Sequence, residues 1–267
     1  MPAFLKIDDF SCGYDKFVLK NIYFETERGM LAGIVGPNGS GKTTLFKGIT
    51  GELTAKAGSV SLNGTSIASM SYKNKAKHIA VVSQQISATD ITVEDFVMMG
   101  RLPHRKRFQF FEKAEDYHIA YEYMNLTNVF HLKDKLMSRI SGGEQQLANI
   151  ARALAQQPEL LLLDEPTSHL DITHQVQILN LIQKLNHEMK LSVIMIIHDL
   201  NLAGEYCDFL IMLNDGKVHK KGSPEEVLNY KDIEDVYETV VVVQQNPVSK
   251  KPAVFLVSEN ILKQNIK

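Results

Sequence analysis

The run Gly36-Pro37-Asn38-Gly39-Ser40-Gly41-Lys42-Thr43-Thr44 contains the residue types that hold a polyphosphate. Its glycines let backbone N–H groups turn inward around phosphate oxygens, and a helix N-terminus behind them adds partial positive charge. Lys42 supplies a full charge to the β- and γ-phosphates, and the Thr43 hydroxyl is placed to ligate Mg²⁺. The pattern G-x-x-x-x-G-K-[ST] has meaning only between a strand and a helix. Met30-Leu31-Ala32-Gly33-Ile34-Val35 reads as a buried strand before it, and Leu45 to Ile49 as the first helical turns after it. A chance glycine-rich turn is the weaker reading. The chain is expected to bind a nucleoside triphosphate.

A second group of such residues lies at the ends of apolar runs. Leu160-Leu161-Leu162-Leu163 ends in Asp164-Glu165, Ser192 to Ile197 ends in His198-Asp199, and Ile79 to Val82 is closed by Ser83-Gln84-Gln85. In a parallel sheet, ligands gather at the carboxyl ends of strands, so adjacent acids there favour function over a solvated end. The two glutamines read as solvated polar residues unless a metal or phosphate lies opposite. Ser141 and Glu144, within Ile140-Ser141-Gly142-Gly143-Glu144, fit a capping box, and taken locally they mark a well-capped helix. Tyr14, in Gly13-Tyr14-Asp15-Lys16, reads locally as a turn tyrosine.

The elements that must position these groups alternate in type. Phe4 to Ile7 and Ile22 to Phe24 alternate apolar and polar residues, as strands exposed on one face do. Gly58 to Leu62 reads as a strand, followed by the hairpin signal Asn63-Gly64. From Thr92 to about Arg139 the pattern turns helical. Thr92 with Asp95 forms a cap, Phe96-Val97-Met98-Met99 an apolar face, and Gly100 with Pro103 a stop. A basic and aromatic patch follows (Arg101, His104, Arg105, Lys106, Arg107, Phe108, Phe110, Phe111), then a helix from Lys113 to Met124. Such an insertion suggests a separate lobe. Asp171 starts a helix with Val176, Leu179 and Ile182 on its apolar side. Asn214-Asp215-Gly216-Lys217 turns a hairpin, and Val240 to Val243 with Ala253 to Val257 form a two-stranded appendage.

Composition narrows the function classes. The 267 residues can bury a large core, and a net charge of −2 gives no basic excess for nucleic acid. No apolar run approaches the roughly 18 residues of a membrane span. Met1-Pro2-Ala3-Phe4 shows no signal-peptide pattern. Cys12 and Cys207 lack metal spacing and read as thiols of a reducing cytosol, and the nine histidines show no zinc pattern.

With these pieces placed, the chain resembles the ATP-binding cassette (ABC) ATPases from end to end. Tyr14 falls where that family stacks an aromatic ring on adenine, and Gly36 to Thr44 on its phosphate loop. Gln84 falls on its glutamine loop, and Ile140 to Glu144 on its signature, usually Leu-Ser-Gly-Gly-Gln. Leu160 to Glu165 matches the aspartate–glutamate strand, Ser168-His169-Leu170-Asp171 the D-loop, and His198 the switch histidine. The resemblance implies an α/β fold: a phosphate-loop NTPase core, with a RecA-like mixed sheet and an antiparallel β subdomain. It adds a helical subdomain (about 91–157) within an ATPase domain (1–238), and a small C-terminal β appendage (239–267).

It also implies ATP and Mg²⁺ as cofactors. Thr43 and Gln84 would ligate the metal directly and Asp164 through water. Glu165 would be the general base and His198 a stabiliser of transition-state charge. Ser141, Gly142 and Gly143 would meet the nucleotide of a second copy, making the active unit a head-to-tail homodimer. Of two departures, Ile140 for leucine is nearly volume-neutral, whereas Glu144 for glutamine puts an anion near a triphosphate. Glu144 is expected to turn back to the Ser141 amide.

Thr92-Val93-Glu94-Asp95, Gly100-Arg101-Leu102-Pro103-His104 and Asp164 to Ile172 are similar to the ATPases of iron-siderophore, haem and cobalamin importers. That resemblance implies a peripheral subunit on the cytoplasmic face of the membrane. Its partners would be integral permease subunits and, indirectly, a periplasmic or surface binding protein. Phe96, Met98, Met99, Arg101, Leu102 and His104 would form the permease-docking groove, with Phe96 and Met99 reading equally well as core of the lobe, and Arg105-Lys106-Arg107 would be solvated or lie near anionic headgroups. The competing readings are a metal-ion importer or exporter ATPase and a non-transport cytosolic cassette ATPase. The insertion before the signature lacks the sustained heptads of the chromosome-acting kind.

Overall fold

The structure is a computed structural model that describes residues 3–15, 17–84, 90–106, 109, 111–258 and 260–261. Expectations for Met1, Pro2, Lys16, Gln85, Arg107, Phe108 and Phe110 lie outside the described residues. The chain divides into two compact units, residues 1–68 with 195–267, and residues 69–194.

The first part of the first unit holds β1 (Leu5–Gly13), β2 (Val18–Thr26), β3 (Leu31–Val35), α1 (Lys42–Thr50), β4 (Ala57–Leu62) and β5 (Thr65–Ser66). Strands β2-β1-β4-β5 form an antiparallel sheet, with Leu5 opposite both Thr26 and Leu62. Its strands run longer than the alternating pattern suggests. Register shifts between Ile7 and Phe10 and between Phe10 and Cys12 break the period, as bulges do. β3 is buried along its whole length, and α1 packs close to β1. A Cβ on Gly48 would sit 2.6 Å from the Phe10 ring, so this helix–sheet approach requires glycine.

The second unit holds α2 (Tyr72–His78), β6 (Ile79–Val82), α3 (Val93–Met98), α4 (Ala114–Leu126), α5 (Gly142–Ala155), β7 (Leu160–Asp164) and α6 (Ile172–Met189). β6 and β7 are parallel, with Val82 opposite Leu163. Leu160 to Leu163 are fully buried, each contributing about 1.5–3 kcal/mol of apolar burial. Thr92 caps α3 as expected, accepting from the Asp95 N–H. Gly100 and Pro103 do not stop the segment, which tightens into a 3₁₀ helix over Met99–His104. That geometry tolerates a proline near its end. Gly100 lets this turn lie against α5, since a Cβ there would meet the Arg152 carbonyl at 2.1 Å.

The division between units falls inside β8 (Ser192–Ile196), after which the first unit resumes. It continues with α7 (Leu200–Tyr206), β9 (Phe209–Asn214), β10 (Lys217–Gly222), α8 (Pro224–Val227), α9 (Tyr230–Tyr237), β11 (Val241–Gln245) and β12 (Pro252–Leu256). β9 lies between β10, antiparallel, and β3, parallel. The β11–β12 hairpin docks on α7 through Asn201, which donates to the Val254 carbonyl (3.2 Å) and accepts from its N–H (2.7 Å).

Candidate active site

In the first unit, the loop 36–41 joins the end of β3 to the start of α1. Gly36, Gly39 and Gly41 all have positive φ. Gly41 is the N-cap of α1 at φ 104°, and a Cβ on it would meet Leu19 at 2.5 Å and the Phe17 ring at 3.0 Å. Glycine is the residue that fits there. Gly39 faces open space, and no side chain caps α1. The Lys42 side chain folds back, its Nζ donating to the carbonyls of Gly36 (2.9 Å) and Pro37 (3.0 Å). Ser40 is buried, and its hydroxyl has no hydrogen-bond partner among the described residues. Thr43 is exposed at the start of the helix. These features fit a polyphosphate: a helix N-terminus without a protein cap, a lysine over the loop, and an open glycine.

Tyr14 is half exposed. The Lys47 Nζ donates to its hydroxyl at 3.3 Å and lies 6.0 Å from its ring centroid. Sequence reasoning passed over Lys47, because nothing in its neighbourhood on the chain points to Tyr14. His198 is exposed between β8 and α7, whose N-terminus Asp199 caps through the N–H groups of Asn201 (2.8 Å) and Leu202 (3.1 Å). Ile197 donates to the Ile34 carbonyl, so the strand ends that lead to His198 and to the phosphate loop run side by side.

In the second unit, Gln84 follows β6 and Glu165 follows β7. Parallel pairing brings these carboxyl ends together. The Gln84 side-chain N–H donates to Glu165 Oε2 at 2.6 Å. Glu165 has φ 51° and His169 φ 62°, left-handed values that non-glycine residues rarely adopt. The Glu165 carbonyl accepts from both the N–H (3.1 Å) and the hydroxyl (3.0 Å) of Ser168, which holds the turn in that conformation. Gln84, Gly142, Glu165, Ser168 and His169 line one cleft of about 170 Å³.

Glu144 turns back as expected. The Ser141 N–H donates to Glu144 Oε2 at 2.7 Å, and the Glu144 N–H to the Ser141 hydroxyl at 3.3 Å. The Ser141 N–H, then its hydroxyl, hold the Glu144 carboxyl below its ordinary value. The carboxylate is therefore engaged with its own helix terminus.

The docking groove needs correction at Arg101. Its side chain is buried, bonded to Asp116 (3.0 Å), the Ala155 carbonyl (2.6 Å) and Gln157 (3.0 Å). Burial pushes the Asp116 carboxyl up, but hydrogen bonds from Arg101 and the Lys113 amide hold it below its ordinary value. Arg101 ties the lobe together and offers nothing to a partner. Phe96 and Met98 are also buried, and His104 bonds the Gln156 carbonyl at 2.8 Å. Met99 and Leu102 remain exposed, at 45% and 46%.

Mg²⁺ takes oxygen ligands and keeps several waters, so it needs no all-protein cage. Among the described residues no cluster of His, Cys, Asp and Glu could hold a metal by itself. Among the described residues no helix is long and apolar enough to cross a membrane.

Comparison with known proteins extends this picture. The family profile described as ABC transporter matches residues 19–168. The chain is 40% identical over 96% of its length to YvrA of Bacillus subtilis strain 168, an ABC transporter ATP-binding protein, and spans 58% of that protein. It is 37% identical over 94% of its length to the ferric enterobactin transport ATP-binding protein FepC of Escherichia coli K12, spanning 93% of it. A solved inward-facing metal-chelate type ABC transporter superposes with a TM-score of 0.86 at 25% identity, over 97% of this chain and 99% of that one.

Proposed function

The chain belongs to the ABC transporter family, and from that premise we propose that it is the ATP-hydrolysing subunit of an importer of metal chelates. The substrate class is supported by the relatives, which include FepC, and by the likeness to a metal-chelate type transporter. In this reading residues 1–238 form the ATPase domain, with a helical subdomain over about 91–157 and an appendage over 239–267. The chain works on the cytoplasmic face of the membrane beside permease subunits, with Met99 and Leu102 as the apolar part of the docking surface.

The observation that carries the chemistry is the hydrogen bond from Gln84 to Glu165. It joins an amide and a carboxylate at adjoining carboxyl ends of parallel strands, the place where ligands of such sheets gather. Tyr14 stacks on adenine, and the loop 36–44 wraps the phosphates. Lys42 exchanges its loop carbonyls for β- and γ-phosphate oxygens. Thr43 and Gln84, with Asp164 through a water, would hold Mg²⁺, which would supply positive charge against the phosphates. Glu165, which accepts from Gln84 through Oε2, is the carboxylate that takes a proton from the attacking water. His198 steadies the γ-phosphate. Ser141, Gly142 and Gly143 face the ATP of a second copy, so each site takes α1 from one chain and α5 from the other.

Glu165→Gln tests this reading. Turnover should fall by at least ~10²-fold, the low end of a general-base effect, with ATP binding retained. Turnover close to wild type would remove Glu165 from the mechanism.

A further inference from the structure

Asp171 is the N-cap of α6, and its Oδ1 accepts from the His174 N–H at 2.9 Å. A cap needs no more than that. The same carboxylate also holds the His174 ring, with Nδ1 2.9 Å from both of its oxygens. The imidazole is thus anchored at its backbone and at its ring. The His174 N–H and then its side chain hold the Asp171 carboxyl below its ordinary value.

The far edge of this ring lies on the signature helix. A Cβ on Gly143 would sit 2.5 Å from His174 Cδ2 and 3.1 Å from its Cγ and Nε2, so no side chain fits. The adjacent Gly142 is the opposite case, with nothing within 4 Å of such a Cβ. The two signature glycines therefore answer different constraints. At Gly142 the space is open toward whatever approaches, and at Gly143 it is closed by a residue of the chain itself. A flexible side chain could swing away from a new methyl group. A ring bonded to Asp171 through Nδ1, on a backbone bonded to the same carboxylate, has less room to do so.

We propose that His174 is a positioning residue for the nucleotide sandwich: held by Asp171, its ring sets the first turn of α5 against the turn 168–171 and so fixes how Ser141, Gly142 and the Gly143 backbone meet the second copy's ATP. This rests on the head-to-tail reading given above. It assigns the need for glycine at 143 to His174 and ties two motifs that are separate in sequence. His174 itself touches no phosphate in this account.

A double-mutant cycle tests it, using His174→Ala, Gly143→Ala and the pair, with ATP-driven dimerisation as the readout. ATP binding to the single chain and thermal unfolding serve as controls. His174→Ala keeps the backbone cap on Asp171, so unfolding and single-chain ATP binding should stay at wild type while dimerisation weakens several-fold. Gly143→Ala should weaken dimerisation by about tenfold or more in the wild-type background and far less in the His174→Ala background, the non-additivity expected of residues in contact. An equal effect of Gly143→Ala in both backgrounds, or no effect in either, overturns the assignment, as does wild-type dimerisation in His174→Ala. Ser141→Arg separates the two levels. If it dimerises with ATP like wild type, the sandwich reading falls and this one with it. If it blocks dimerisation while the cycle is additive, only the role of His174 falls.

Discussion

Two helices of this chain begin at motifs associated with phosphate, and they begin differently. α1 starts at Gly41, which has no side chain to cap it, and its first turn carries no acid. α5 starts at Ser141 with a complete capping box and Glu144 in its first turn. The first four N–H groups of any helix need partners from outside the helix ladder. α1 leaves that need to a ligand, whereas α5 meets part of it internally. This difference suits the proposed division of labour. The phosphate loop grips the nucleotide of its own chain, and α5 presents a finished surface to the nucleotide of another.

The largest effect that sharpens this contrast is at Lys42. Charged hydrogen bonds contribute about 1.5–3 kcal/mol, so Lys42→Ala should weaken ATP binding tenfold or more. A nucleotide titration at wild-type affinity would contradict the open-helix view of α1. At α5 the effects should fall on stability first. Ser141→Ala should lower unfolding stability without nucleotide by about 0.5–2 kcal/mol, the range for losing such a cap. The Glu144 contribution is smaller and depends on pH. Its folded value lies below the ordinary 4.5, so its stabilisation is complete above that pH and is lost as pH falls through the lower folded value. The advantage of wild type over Glu144→Gln in urea unfolding should therefore narrow on acidification. A gap that widened would show that Glu144 is not held as an anion.

What could be read from the chain alone followed the range of the interactions. The phosphate loop and the Ser141–Glu144 box were legible because each is complete within a few residues. The ends of β6 and β7 were recognisable singly, but the bond between Gln84 and Glu165 depends on strand pairing between residues 81 apart. Arg101 was misread for the same reason. A basic residue beside Met99 and Leu102 looks like an interface, and only its bonds to Asp116 and Ala155 place it inside the lobe. The lengths of β1 and β2 were obscured by bulges that interrupt alternation. His174 gave no signal at all, since its meaning lies in the space beside Gly143.

The central claim is that each catalytic site joins α1 of one chain to α5 of another, and subunit mixing tests it most directly. Lys42→Ala and Ser141→Arg should each be inactive alone. In a mixed dimer, one site unites the intact Lys42 of one chain with the intact Ser141 of the other, so the mixture should hydrolyse ATP well above the sum of the separate proteins. Activity that never exceeds that sum, although mixed dimers form, would contradict the account.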